Sequence, residues 1–204
     1  MLRRGQETRA EQGLLDGGTD VSKRYVLCLT AANRTGILAA VTRALSELGG
    51  DIDEVNQAVV KDFFAIILAA DFPDHRDENV IVGHLEDVCR QFGVNVFLRD
   101  PEHDLEDGEI LEAGEKFLLT LTGADAPGIV ATVSGRLARD GIDISDLRGA
   151  RRNDGKSFAL ILELVIPTHV DPALLKDDLE RLGGTLGLTA RLTRASDSAS
   201  TADF

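Results

Sequence analysis

The chain repeats itself. Shifted by 92 residues, Lys23–Ile52 aligns with Glu115–Ile144 without a gap, and 12 of the 30 positions are identical, among them Leu27/Leu119, Gly36/Gly128, Ile37/Ile129, Gly49/Gly141 and Asp51/Asp143. Self-similarity of this kind marks one supersecondary unit present twice, so the 204 residues are read as two small domains and not one medium one.

Each copy has the same hydrophobic rhythm. Tyr25–Thr30 and Phe117–Thr122 are short apolar and aromatic runs that read as strands. A turn follows, and then Gly36–Leu48 or Gly128–Asp140 carries apolar residues at the three- and four-residue steps of an amphipathic helix, ending at Gly49 or Gly141 in the position of a left-handed cap. Ile52–Val60 with Phe63–Asp71, and Ile142–Arg152 with Ser157–Ile166, read as hairpins turning at Lys61-Asp62 and Asn153-Asp154-Gly155. The offset grows from 92 to 94 across the second hairpin, which places an insertion at its tip, where one is tolerated best. Second helices are expected over Glu78–Phe92 and Pro172–Leu182, with Val80, Ile81, Leu85, Val88 and Phe92, or Leu174, Leu175, Leu179 and Leu182, on one side. Last strands are expected at Val94–Arg99 and Leu186–Arg194. The order β-α-β-β-α-β predicts an α+β fold: two tandem ferredoxin-like domains, each a four-stranded antiparallel sheet with two helices on one face.

Between the copies, residues 100–114 hold seven acids and little apolar periodicity and read as a solvated linker, separating domains at 22–99 and 115–194. Residues 1–21 and 195–204 read as disordered tails. The net charge of −13 opposes binding to phosphate backbones, so no direct nucleic-acid partner is expected. Cys28 and Cys89 sit in apolar segments without metal spacing and read as buried thiols of a reducing compartment. No membrane span and no signal peptide are read, which makes the cytoplasm the expected location.

The turns Asn33-Arg34-Thr35-Gly36-Ile37 and Asp125-Ala126-Pro127-Gly128-Ile129 lead into the first helices. Asn33 and Asp125 are candidate N-caps, and Pro127 suits a first helical turn. Glycine is a poor helix former, so its presence in both copies admits a second reading: close approach of a ligand to unpaired N–H groups at a positive helix end, where a carboxylate fits. Asp51 and Asp143 open the next strands and are candidates to pair with an ammonium group, although Gly-Asp is also ordinary turn chemistry. A small zwitterion matches the two features together.

The segments LCLTAANRTGILAAVTRALSELGGDID and LTLTGADAPGIVATVSGRLARDGIDIS resemble the ACT domain, with its strand, D/N-x-P-G-(I/V/L) turn, helix and G-(x)-(N/D)-I. Within that family the bare tandem is most similar to the glycine cleavage system transcriptional repressor group. The resemblance implies amino-acid binding at an interface between two domains, and carries ligand contacts onto Asn33, Gly36, Ile37 and Asp51 in the first copy and Asp125, Gly128, Ile129 and Asp143 in the second. The sequence departs from the pattern at Thr35, where the family has proline, and in having Asp51 and Asp143 where many amino-acid binders have asparagine.

His75, His84, His103 and His169 share no motif, and no nucleophile elbow, P-loop, HExxH or dinucleotide fingerprint is present. ACT domains also occur fused to enzymes, but here both folded blocks are occupied by the copies. The expectation is therefore a non-enzymatic regulator with a small amino acid as ligand, no cofactor, no metal, a regulatory protein partner and a homo-oligomeric, dimeric state, with transcriptional control of amino-acid metabolism as its setting. The alternatives are a ligand-independent interaction or dimerisation module, and a stand-alone enzyme of ferredoxin-like fold.

Overall fold

The computed structural model describes residues 22–73, 76–104, 113–151 and 157–198. The chain divides into two units, Met1–Gly108 and Glu109–Phe204. The first contains β1 (Ser22–Ala32), α1 (Ile37–Glu47), β2 (Asp51–Val60), β3 (Phe63–Pro73), α2 (Glu78–Val88), a 3-10 turn at Arg90–Phe92, β4 (Asn95–Arg99) and α3 (Pro101–Asp104). The second contains β5 (Gly114–Ala124), α4 (Ile129–Ala138), β6 (Asp143–Arg151), β7 (Ser157–Pro167), α5 (Pro172–Thr185), β8 (Leu188–Arg194) and α6 (Ala195–Ser198). The sheets run β2-β3-β1-β4 and β6-β7-β5-β8, antiparallel throughout. Each unit thus has the expected ferredoxin-like α+β arrangement.

Strand alternation decides which face the helices cover. In β1, Tyr25, Leu27, Leu29 and Ala31 are buried, and β3 answers with Phe64, Ile66, Leu68, Ala70 and Phe72. These pack under Ile37, Val41, Ala44 and Leu45 of α1 and Ile81 and Leu85 of α2. The second core joins Phe117, Leu119 and Leu121 to Leu160, Leu162 and Leu164 under Ile129, Val133 and Leu137 of α4 and Leu175 and Leu179 of α5. Each leucine fully removed from water contributes about 2 kcal/mol of transfer free energy, which drives the helices onto one face.

The helix ends explain the repeated glycines. Gly49 has φ 79° and Gly141 has φ 66°. Gly50 N–H donates to the Leu45 carbonyl and Gly49 N–H to that of Ser46, while Ile142 and Gly141 repeat the pattern on Leu137 and Ala138. Both are Schellman caps, which need a left-handed residue and so favour glycine.

Several readings are corrected at element boundaries. The second helix of the first unit stops at Val88, and Arg90–Phe92 continues as a 3-10 turn. Helix α5 runs on through Gly183 and Gly184 to Thr185, because Gly183 is buried against β8 where a Cβ would meet Ala190 Cβ at 3.1 Å. Val80 and Leu174, placed on the apolar sides by spacing, are 50% and 69% exposed. Cys89 is buried but Cys28, on the sheet face away from the helices, is only half-buried. The linker does not start at residue 100: Asp100 is buried, accepts the Glu102 N–H to start the α3 turn, and lies 2.9 Å from Lys23 Nζ. Ala195–Ser198, read as tail, is helical. The hairpin turn at Asn153-Asp154-Gly155, the N-terminal tail and His75 lie outside the described residues.

Candidate functional site

The turn before each first helix has a different cause from the one its side chains suggest. Gly36 (φ 94°, ψ −8°) and Gly128 (φ 84°, ψ 3°) hold the N-cap positions of α1 and α4, three residues beyond Asn33 and Asp125, and have no side chain of their own to cap with. Those glycine angles are those of the third residue of a type II turn, and Ile37 N–H donates to the Arg34 carbonyl at 3.3 Å to close it in the first copy. Pro127 falls at the second turn position, preset for it, one residue ahead of the cap. Thr35 holds the same place without strain because that position accepts most residues. Crowding by the chain itself is not what demands glycine: a Cβ at Gly128 would meet no atom of the protein within 4 Å, and at Gly36 only Phe92 Cζ at 3.6 Å.

The other two helices of the packed layers are finished differently. Asp77 accepts from Asn79 N–H at 2.8 Å, and Asp171 accepts from Ala173 N–H at 2.8 Å. The Asn79 hydrogen bonds hold the Asp77 carboxyl below its ordinary range. The second helix of each copy is therefore capped by its own carboxylate, whereas the N-cap residue of the first is glycine.

Asn33 is exposed, and its N–H donates to the Asp62 carbonyl at 2.8 Å, tying the turn to the β2–β3 hairpin tip. Asp125 is half-buried, whereas Ile37 and Ile129 are core residues that anchor the first helical turn. In the first copy two groups missed in the sequence border the turn: Arg34 Nη1 donates to the Gln91 carbonyl at 3.3 Å, and Phe92 faces Gly36. Arg34 lies inside the motif itself, but only the fold brings the 3-10 turn Arg90–Phe92 to it.

Asp51 and Asp143 stand at the opposite end. Helix α1 has 11 residues, about 16 Å of rise. On the sheet, Asp51 pairs with Asp71 and Asp71 with Arg24, nine residues below Asn33, roughly 30 Å along the strand. The turn and the β2 aspartate of one copy are thus too far apart to hold one amino acid, contrary to the single-zwitterion match within a copy. The surroundings of these acids are otherwise neutralised. Arg24 makes two 2.8 Å bonds to Asp71 and one contact of 3.1 Å to Asp53, and it holds the Asp71 carboxyl below the usual range. Lys116, with Ser145, does the same for Glu163. Asp51 and Asp143 make no side-chain hydrogen bond or ion pair to another described residue.

Among the described residues no three His, Cys, Asp or Glu side chains are grouped to hold a metal ion, and no helix is long and apolar enough to cross a membrane. His84 bonds Glu47 across α1 and α2 at 2.9 Å, and His103 lies 3.6 Å from Asp100.

The chain is thus a tandem of two ferredoxin-like units that share this turn. The ACT domain family model matches residues 25–99 and 115–193, and the chain belongs to that family. A UPF0237 protein of Methanopyrus kandleri is 30% identical over 70 residues, 34% of this chain and 74% of that protein. A UPF0237 protein of Corynebacterium diphtheriae is 37% identical over 49 residues, 24% of this chain and 55% of that protein. Among solved structures, an unknown protein from Galdieria sulphuraria superposes with a TM-score of 0.71 at 20% identity, covering 86% of this chain and 99% of that one. A protein assigned provisionally as a glycine cleavage system transcriptional repressor superposes with a TM-score of 0.59 at 12% identity, covering 85% and 97%. At these identities the likeness is one of fold.

Proposed function

We propose that this protein is a non-enzymatic regulator that binds a small amino acid at an interface between ACT copies. The carboxylate docks on the N-terminus of α1 or α4, and the ammonium pairs with Asp51 or Asp143 of another copy. Two observations support this: glycine stands at the N-cap of the first helix of each copy where aspartate caps the second, and among the described residues Asp51 and Asp143 have no cationic partner whereas Asp71 and Glu163 do. A helix N-terminus favours anions, and an unpaired exposed carboxylate favours cations. The separation of the two ends within a copy is the reason the ligand is assigned to an interface. Occupancy then changes the surface offered to a protein partner, in transcriptional regulation of amino-acid metabolism; the −13 net charge favours a protein partner over DNA.

The test is a set of thermal melts with each common amino acid at rising concentration. A ligand that binds only the folded state stabilises it by RT ln(1 + [L]/Kd), about 2.7 kcal/mol at one hundred times Kd. At least one amino acid should raise the midpoint in a concentration-dependent way; flat melts for all of them, with the fold intact, overturn the proposal. A second reading, ligand-independent homodimerisation, is favoured by Phe63, Ile67 and Phe97, which are 71%, 51% and 61% exposed on the helix-free face of the first sheet. Sedimentation of Phe63→Ser/Phe97→Ser separates it: loss of the dimer with ligand-induced stabilisation retained assigns that face to assembly alone.

A further inference from the structure

The two copies close at their last strand with the same contact and opposite charges. In the first unit β1 pairs with β4 with Val26 opposite Arg99, so the next step sets Asp100 against Tyr25; in the second, Arg194 lies opposite Phe117. Tyr25 and Phe117 correspond at the 92-residue offset, as do Lys23 and Glu115, so Asp100 and Arg194 hold equivalent places. Lys23 Nζ lies 2.9 Å from Asp100 Oδ2 and 5.0 Å from the centre of the Tyr25 ring. Arg194 Nη2 lies 3.2 Å from Glu115 Oε2, and its guanidinium carbon lies 5.7 Å from the centre of the Phe117 ring. The cation covers the aromatic ring in both, but it comes from the first strand in one copy and from the last strand in the other.

Exchanging the last strands reverses both interactions. With β8 on β1, Lys23 meets Arg194; with β4 on β5, Glu115 meets Asp100. The apolar side of these strands offers little discrimination, since Leu98 and Val96 stand opposite Leu27 and Leu29 much as Leu192 and Ala190 stand opposite Leu119 and Leu121. A steric difference acts in the same sense. Gly123 lies opposite Leu188, and a Cβ there would come within 2.6 Å of the Gly187 carbonyl oxygen and 3.0 Å of Leu188 Cα. The equivalent residue of β1 is Ala31, which has that Cβ, so the turn leading into β8 does not fit on β1.

We propose that the reversed ion pair and the Gly123/Ala31 difference form a pairing code that keeps β4 with the first copy and β8 with the second. Tandem copies of similar sequence are prone to exchange elements as they fold, within a chain and between chains, and like charges set face to face in a sheet oppose the wrong pairing. The code is independent of ligand binding.

The experiment rewrites the code while keeping the native ion pair. Lys23→Glu/Asp100→Arg gives the first copy the polarity of the second, so both exchanged pairings become attractive. Thr30 lies opposite Asn95 and Thr122 opposite Thr189, so in a Cys28→Ser background Thr30→Cys/Asn95→Cys reports native closure and Thr30→Cys/Thr189→Cys reports exchange after oxidative refolding of the full chain. The exchanged disulfide should be at background with the natural charges and rise about tenfold in the recoded chain, the effect expected when two repulsive contacts near the surface become attractive. Adding Ala31→Gly should raise it further. Glu115→Lys/Arg194→Asp, which recodes the other copy, should do the same. Exchange that stays at background while native closure persists overturns the proposal. Loss of native closure in both recoded chains also overturns it, because the polarity then serves stability and not the choice of strand.

Discussion

Gly128→Ala isolates why the turn carries glycine. The residue sits at φ 84° and ψ 3°, and an added Cβ meets nothing within 4 Å, so the cost is purely conformational. Holding an L-residue in left-handed backbone costs about 1–2 kcal/mol, and restriction of the unfolded chain returns about 0.4–1 kcal/mol, leaving a net loss near ~1 kcal/mol. For a unit of this size that lowers the melting midpoint by about 4–8 °C. Gly128→Asn should lose less, because asparagine enters this region several-fold more readily. Gly36→Ala should match Gly128→Ala within a few tenths of a kcal/mol, since its added methyl makes only an ordinary 3.6 Å contact with Phe92. Urea and thermal unfolding followed by circular dichroism measure all three. Equal stability of Gly128→Ala and the natural protein, or equal losses for alanine and asparagine, would refute the turn as the cause and return close approach as the explanation.

Asp77→Ala and Asp171→Ala should each cost about 1 kcal/mol in urea unfolding, whereas Asn33→Ala, three residues ahead of the N-cap position, should stay within about 0.5 kcal/mol. Thr35→Pro should stabilise the first unit by about 0.4–1 kcal/mol, because the turn already holds the backbone proline prefers and the unfolded chain loses freedom. Acid should weaken the fold. Asp71, Asp100 and Glu163 are held below the usual carboxylate range by Arg24, Lys23 and Lys116, so their contribution is complete above the ordinary values near ~4 and is lost as pH falls through the lower folded ones. Urea midpoints taken from pH 7 down to about 2.5 follow this, and Arg24→Leu should flatten part of the decline.

The fold was legible because burial imposes periodicity. Leu27, Leu29, Leu119 and Leu121 alternate inward, Val41 and Leu45 recur at helical spacing, and Gly49 and Gly141 mark helix ends that need left-handed backbone. What misled was chemistry with two local solutions. Asn33 and Asp125 suit the N-cap position, but the turn between them and the helices puts Gly36 and Gly128 there. Asp100 reads as one acid among seven in a solvated run, yet Lys23, 77 residues earlier, fixes it to β1. Val80 and Leu174 follow the apolar spacing but lie at the margin of a stripe narrower than the pattern. The turn glycines and β-strand aspartates were legible from the repeat and the motif; that they stand at opposite ends of the first helix in each copy required the fold.

Recognition of a zwitterion by two oppositely charged ends is tested most directly by calorimetric titration with the most stabilising amino acid, its amide and its N-acetyl derivative. Binding of the free amino acid, with at least tenfold weakening when either its carboxylate or its ammonium is blocked and when Asp51 and Asp143 are both changed to Ala, is the predicted result. Undiminished binding of either blocked derivative, or no heat from any amino acid, would contradict it.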